Sequence, residues 1–238
     1  MNSKKWSNVY AVGGGVLQAL LLSGCAQAPE APRDDSANAS TTIAEEVGRP
    51  EGDERLILAF GDSLYAGYRL GRGESLPDQI ENRLRTDGVN ATVVNAGVSG
   101  DTTAAGRQRL AFALDNLPRT PDLVILGLGG NDVLRQLPVS ETRENLMAMM
   151  DQLKERDIPV ILTGMRAPPN LGPDFARTFE AIWPDLARRY DATLDPFILD
   201  KVITDRALML PDRVHPNAQG VAVMADRIAP LAKQALAP

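Results

Sequence analysis

Apolar residues in this chain come in short unbroken blocks separated by longer stretches in which they recur every three or four positions. The first block, Leu56-Ile57-Leu58-Ala59-Phe60, ends at Gly61. Thr92-Val93-Val94-Asn95, Leu123-Val124-Ile125-Leu126 and Val160-Ile161-Leu162 follow at intervals. Runs of this length ended by turn residues predict strands buried on both faces. Between them, Leu76, Ile80 and Leu84 have helical spacing, as do Leu146, Met149, Met150 and Leu153. Phe175, Phe179, Ile182 and Leu186 predict one further helix, and Val221, Met224, Ala225, Ile228 and Ala232 a last one starting near Asn217. These stripes are core positions. Strand and helix in alternation imply a parallel sheet with helices on both faces, an α/β/α sandwich.

Upstream of Leu56 the pattern changes character. Lys4 and Lys5 precede an apolar run from Val9 to Leu22, which closes with Leu22-Ser23-Gly24-Cys25. This reads as a secretory signal over residues 1–24, with Cys25 just after a small-residue cleavage site. An uncleaved anchor helix is the other reading, but Gly13-Gly14-Gly15 and Gln18 interrupt a run already short of the roughly 20 residues a span needs. From Ala26 to about Glu54 the chain is rich in Ala, Pro, Ser, Thr, Asp and Glu and has no aromatic residue, as expected of a flexible tether. Residues 55–238 then form one domain, a size that buries a substantial core at 44% hydrophobic content.

Cys25 is the only cysteine in 238 residues, which excludes an intrachain disulfide and a thiol mechanism in the domain. The formal net charge is -6, and losing Lys4 and Lys5 with residues 1–24 takes it to -8. That sign argues against nucleic acid as a partner and against charge-driven binding to anionic lipid.

Chemistry concentrates at strand ends. Gly61-Asp62-Ser63 delivers a hydroxyl at the carboxyl end of the first strand, where open α/β sheets gather their reacting groups. Serine needs a base, and the chain has one histidine, His215, three residues after Asp212 in a proline-bounded turn. Asp212 can fold back onto one ring nitrogen while the other faces Ser63. Each piece also has a purely structural use, Asp62 as a helix cap and Asp212 as a cap on the last helix. After the second strand comes Asn95-Ala96-Gly97-Val98-Ser99-Gly100-Asp101-Thr102-Thr103, and after the third Gly127-Leu128-Gly129-Gly130-Asn131-Asp132. Either is compatible with a glycine loop entering a helix capped by Asp101 or Asp132. Together they bring a glycine amide and an asparagine amide to the edge that carries Ser63, the donors an oxyanion requires.

Gly61-Asp62-Ser63-Leu64, Ser99-Gly100-Asp101-Thr102, Gly129-Gly130-Asn131-Asp132 and Asp212-Arg213-Val214-His215-Pro216 resemble the four blocks of the SGNH or GDSL hydrolases, in that family's order. Val93-Val94-Asn95-Ala96 and Leu64-Tyr65-Ala66-Gly67-Tyr68 are similar to the bacterial periplasmic group of acyl-CoA thioesterases, lysophospholipases and arylesterases. The resemblance implies a flavodoxin-like three-layer fold, Ser63 as nucleophile, His215 as base then acid, and Asp212 as its orienting partner. It implies an oxyanion hole of the Ser63 and Gly100 amides and the Asn131 side chain, with no metal or organic cofactor. Leu22-Ser23-Gly24-Cys25 resembles the lipobox of bacterial lipoproteins, which implies lipid on Cys25, and Ala26 after it implies an outer-membrane address. The expected activity is hydrolysis of small-molecule or lipid esters or thioesters by a monomer. A carbohydrate O-deacetylase of the same fold is the alternative, and a non-catalytic lipid- or glycan-binding lipoprotein a more distant one. Leu134, Met165, Pro168 and Leu171, in the loops after the third and fourth strands, are expected to shape an acyl groove, though such residues also serve as loop packing.

Overall fold

The computed structural model describes residues 48–237. The expected signal, the Cys25 lipidation site and most of the expected tether lie outside the described residues. Residues 48–54 form no helix or strand, but they lie against the domain: Arg49 donates to Thr92 Oγ1 at 3.3 Å and Asn90 Nδ2 to the Gly52 carbonyl at 2.8 Å.

Five strands carry the fold: β1 (Arg55–Gly61), β2 (Ala91–Gly97), β3 (Leu123–Gly127), β4 (Val160–Thr163) and β5 (Thr193–Asp195). All neighbours pair in parallel, in the order β2-β1-β3-β4-β5. The helices are α1 (Ser63–Ala66), α2 (Leu76–Thr86), α3 (Thr103–Asp115), α4 (Gly130–Leu134), α5 (Val139–Glu155), α6 (Pro173–Glu180), α7 (Ile182–Tyr190) and α8 (Ala218–Ala235). Because side chains alternate across a strand, β1 feeds two cores. Ile57 and Ala59 meet α2 and α8 on one face. Leu58 and Phe60 meet α3, α5, α6 and α7 on the other. This is the three-layer α/β/α sandwich that the blocks of apolar sequence predict.

The strand order reverses direction between β1 and β3. β1 leads outward to β2 on one side, whereas β3 starts the run toward β5 on the other, so the loops leaving β1 and β3 diverge and open a crevice at their carboxyl ends. Gly61 pairs with Gly127 across that junction. A Cβ on Gly61 would collide with the Tyr65 ring and the Gly127 carbonyl, so the chain can turn into α1 here only through glycine.

Three features depart from the sequence pattern. β5 has three residues, two of them polar, and gives no apolar run; Asp195 is nonetheless buried because the Arg227 guanidinium grips both its oxygens, at 2.9 and 2.8 Å. The single helix expected through Phe175 and Leu186 breaks at Ala181 into α6 and α7. Pro184 has no N–H to offer the Glu180 carbonyl, which removes the bond that would join them. Neither Asp101 nor Asp132 caps a helix: α3 is capped by Thr102, whose Oγ1 accepts from Ala105 N, and α4 follows Gly129 with no side-chain cap.

Candidate active site

Ser63 opens α1, a single turn launched directly from β1. Asp62 caps it, its Oδ1 accepting from Leu64 N at 3.0 Å, and the left-handed Gly67 closes it. Capping by Asp62 and presentation of Ser63 are thus complementary parts of one turn. At the other end of the domain, Asp212 Oδ1 accepts from the backbone N–H groups of Val214 and His215 at 2.9 and 3.0 Å. Left-handed Arg213 makes this tight turn possible, and the Leu210 N–H to His215 carbonyl bond at 2.8 Å closes its base. Asp212 is therefore wound around His215.

The two ends meet across 152 positions of sequence. His215 Nδ1 lies 2.9 Å from Asp212 Oδ2, and His215 Nε2 lies 2.9 Å from Ser63 Oγ. Partial burial alone would raise the Asp212 acid; the His215 and Val214 amides and the imidazole outweigh it and hold the carboxyl down at about 2. Asp212 is thus ionised throughout the pH range in which histidine exchanges protons, and it fixes which ring nitrogen faces the serine. Tyr68, which the sequence reading did not single out for a role, packs its ring against the imidazole at 4.4 Å between centroids.

The three expected amide donors gather at the same edge. Among the described residues neither the Ser63 nor the Gly100 N–H has a protein acceptor. Gly100 adopts φ +87°, open to glycine at little cost, and its carbonyl accepts from Arg135 Nη2 at 2.8 Å. Asn131 sits in the first turn of α4, and its Nδ2 donates to the Asp101 carbonyl at 2.9 Å, which leaves its second N–H free to serve a ligand. Asp132, beside it, accepts from Thr103 N at 2.9 Å and from the hydroxyls of Thr103 and Thr142, and so locks α3, α4 and α5 together.

Asp62 is 3% exposed. Burial pushes its carboxyl up to about 6, against the pull of the Leu64 N–H and of His215, and nearby Asp101 and Asp132 add to the rise. Of the four expected groove residues, Leu134 is open at 54% exposure, while Met165 and Leu171 pack in part against the core and Pro168 is half-buried. Met165 abuts Gly130, next to Asn131. Val98 and Val214, which the sequence reading passed over, are also exposed, so the segments bearing Gly100, Asn131 and His215 each show one large bare apolar side chain.

A parallel α/β sheet whose switch point holds a serine, a histidine and an aspartate in hydrogen-bond sequence belongs to the class of serine-hydrolase scaffolds. Residues 59–223 match the model of the GDSL-like Lipase/Acylhydrolase family, and the chain belongs to that family. It is 38% identical over 173 residues to an arylesterase from Vibrio mimicus, covering 73% of this chain and 86% of that protein. It is 34% identical over 173 residues to Thioesterase 1/protease 1/lysophospholipase L1 from Escherichia coli (strain K12), covering 73% and 81%. The crystal structure of AlinE4, an SGNH-hydrolase family esterase, superposes with a TM-score of 0.67 at 50% identity, covering 79% of this chain and all of that one. The chain is accordingly a carboxylic ester hydrolase whose partner is a small-molecule ester.

Proposed function

We propose that the protein cleaves carboxylic esters and thioesters through an acyl-enzyme on Ser63. The observation that carries this reading is the unbroken chain from Ser63 Oγ through the two ring nitrogens of His215 to Asp212 Oδ2, its two hydrogen bonds each 2.9 Å. Ser63 Oγ attacks the acyl carbonyl as its proton passes to His215 Nε2, and the imidazolium so formed is stabilised by ionised Asp212. The tetrahedral oxyanion accepts from the Ser63 and Gly100 amides and the free N–H of Asn131. His215 then protonates the departing alcohol or thiol. Water, deprotonated by the same nitrogen, releases the acid and regenerates Ser63.

Apolar Val98, Leu134 and Val214 at the rim, with Met165 beside Asn131, favour an acyl chain over a sugar as the recognised group. The names of the Vibrio and Escherichia relatives support aryl ester, thioester and lysophospholipid substrates. The lipobox-like residues 22–25, followed by Ala26, support export and attachment to the outer membrane through lipid on Cys25.

The test is hydrolysis of p-nitrophenyl esters from acetyl to palmitoyl, and of acyl-CoA thioesters, beside Ser63→Ala. Activity that extends beyond acetyl and is lost in the variant is the expected result. Activity confined to acetyl would transfer the reading to the O-deacetylase, and full activity in Ser63→Ala would end the acyl-enzyme mechanism.

A further inference from the structure

Arg109 lies on α3, outside every block of sequence that suggested chemistry, yet among the described residues it makes more long-range bonds to the site's loops and strand ends than any other cation. Its Nε bonds Asp101 Oδ2 at 2.6 Å. Its Nη1 donates to the Ala96 carbonyl and its Nη2 to the Gly61 carbonyl, each at 2.8 Å. The guanidinium also lies 3.9 Å from the centre of the Phe60 ring. One planar fork thus ties the carboxyl end of β1, just before Ser63, to the carboxyl end of β2 and to the loop carrying Gly100. The ion pair is sheltered, with side-chain exposures of 23% for Arg109 and 13% for Asp101.

We propose that Arg109 is a positioning residue for ester hydrolysis, acting through Asp101 on the oxyanion donor Asn131. This rests on the assignment of Asn131 made above. The Asn131 amide group is planar, so fixing one of its N–H bonds fixes the direction of the other. The fixed one points at the Asp101 carbonyl. Asp101 is in turn held at its carboxylate by Arg109 and at its N–H by the Val98 carbonyl at 3.1 Å. Arg109 therefore sets the point from which the second Asn131 N–H is aimed, its bonds to the Gly61 and Ala96 carbonyls anchoring the guanidinium to the strand ends. Arg135 gives Gly100 a similar clamp from solvent, with a single bond.

A double-mutant cycle distinguishes this from a residue that only glues two strands. Arg109→Met keeps the stem over Phe60 and removes the fork. With p-nitrophenyl butyrate, kcat is expected to fall about 10- to 100-fold with KM changed less than about 3-fold, the pattern of a donor displaced by a fraction of an ångström. In an Asn131→Ala background the same substitution should cost less than about 3-fold, because the donor that it aims is gone. Asp101→Asn, which weakens the ion pair but keeps the carbonyl used by Asn131, should give a smaller loss that is likewise absorbed by Asn131→Ala. Asp101→Asn also carries the test should Arg109→Met not fold. Equal losses in both backgrounds, a rise in KM with kcat unchanged, or an Asn131→Ala enzyme of full activity would overturn the proposal. Loss of turnover in Ser63→Ala is measured separately, so failure of the cycle and failure of the acyl-enzyme reading give different results.

Discussion

The buried carboxyl of Asp62 is expected to weaken the fold at neutral pH, and Asp62→Asn to recover that stability. Its ordinary value of 3.8 rises to about 6 because burial removes the carboxylate from water and a single backbone N–H, that of Leu64, returns only part of the lost solvation. Between these two values the folded protein holds a proton that the unfolded chain has released. Stability contributed by this group is therefore present below pH 3.8, is lost as pH rises toward 6, and stays lost above it. The full difference corresponds to about 3 kcal/mol, of which about 2.5 kcal/mol develops between pH 4 and pH 7.5. Asparagine keeps the oxygen that caps Leu64 but cannot ionise. Urea unfolding of both proteins at the two pH values follows the effect, since titrating groups not coupled to Asp62 cancel in the comparison. The variant should gain about 2.5 kcal/mol on the wild type as pH rises, whatever fixed cost its amide carries. A difference between the two proteins that changes by less than about 0.5 kcal/mol across the range, or one that moves the other way, would refute the reasoning.

Asn131→Ala should lower kcat roughly 100- to 1000-fold with little change in KM, measured on a p-nitrophenyl ester; near-full turnover in a folded variant would remove Asn131 from the oxyanion hole. Leu134→Trp, at an exposed rim position, should shift the preferred acyl chain to a shorter one in an acetyl-to-palmitoyl series, and an unchanged preference would take Leu134 out of the groove. Gly61→Ala forces a methyl group into the Tyr65 ring and the Gly127 carbonyl, and should cost about 1–3 kcal/mol or more in urea unfolding; wild-type stability would show that α1 can move away from β1.

The four longest strands, the helices carrying Ile80, Met149 and Val221, and the positions of Ser63, Gly100, Asn131, Asp212 and His215 were legible in the sequence. β1, β3 and β4, buried on both faces, must be apolar almost throughout, edge strand β2 keeps apolar residues only in part, and glycine must stand where backbones approach too closely for a Cβ. Such demands act on one residue or one turn, so they leave a local trace. The break at Ala181 was also locally encoded, in Pro184, but the apolar stripe runs through it and masks it.

What the tertiary structure decided is which strand ends stand side by side. The order β2-β1-β3-β4-β5 places the Gly61, Gly100 and Asn131 loops together, and no periodicity of apolar residues specifies that order. Arg109 and Tyr68 gain their contacts only from it, since one reaches the ends of β1 and β2 and the loop carrying Gly100 and the other meets an imidazole far along the chain. β5 ends on Asp195, which can be buried because Arg227 bonds both its carboxylate oxygens, and no apolar run marks that strand in the sequence. Contacts of this kind depend on partners that folding alone brings within reach, and so local sequence carries the chemistry of the site while the packing of the sheet determines its geometry.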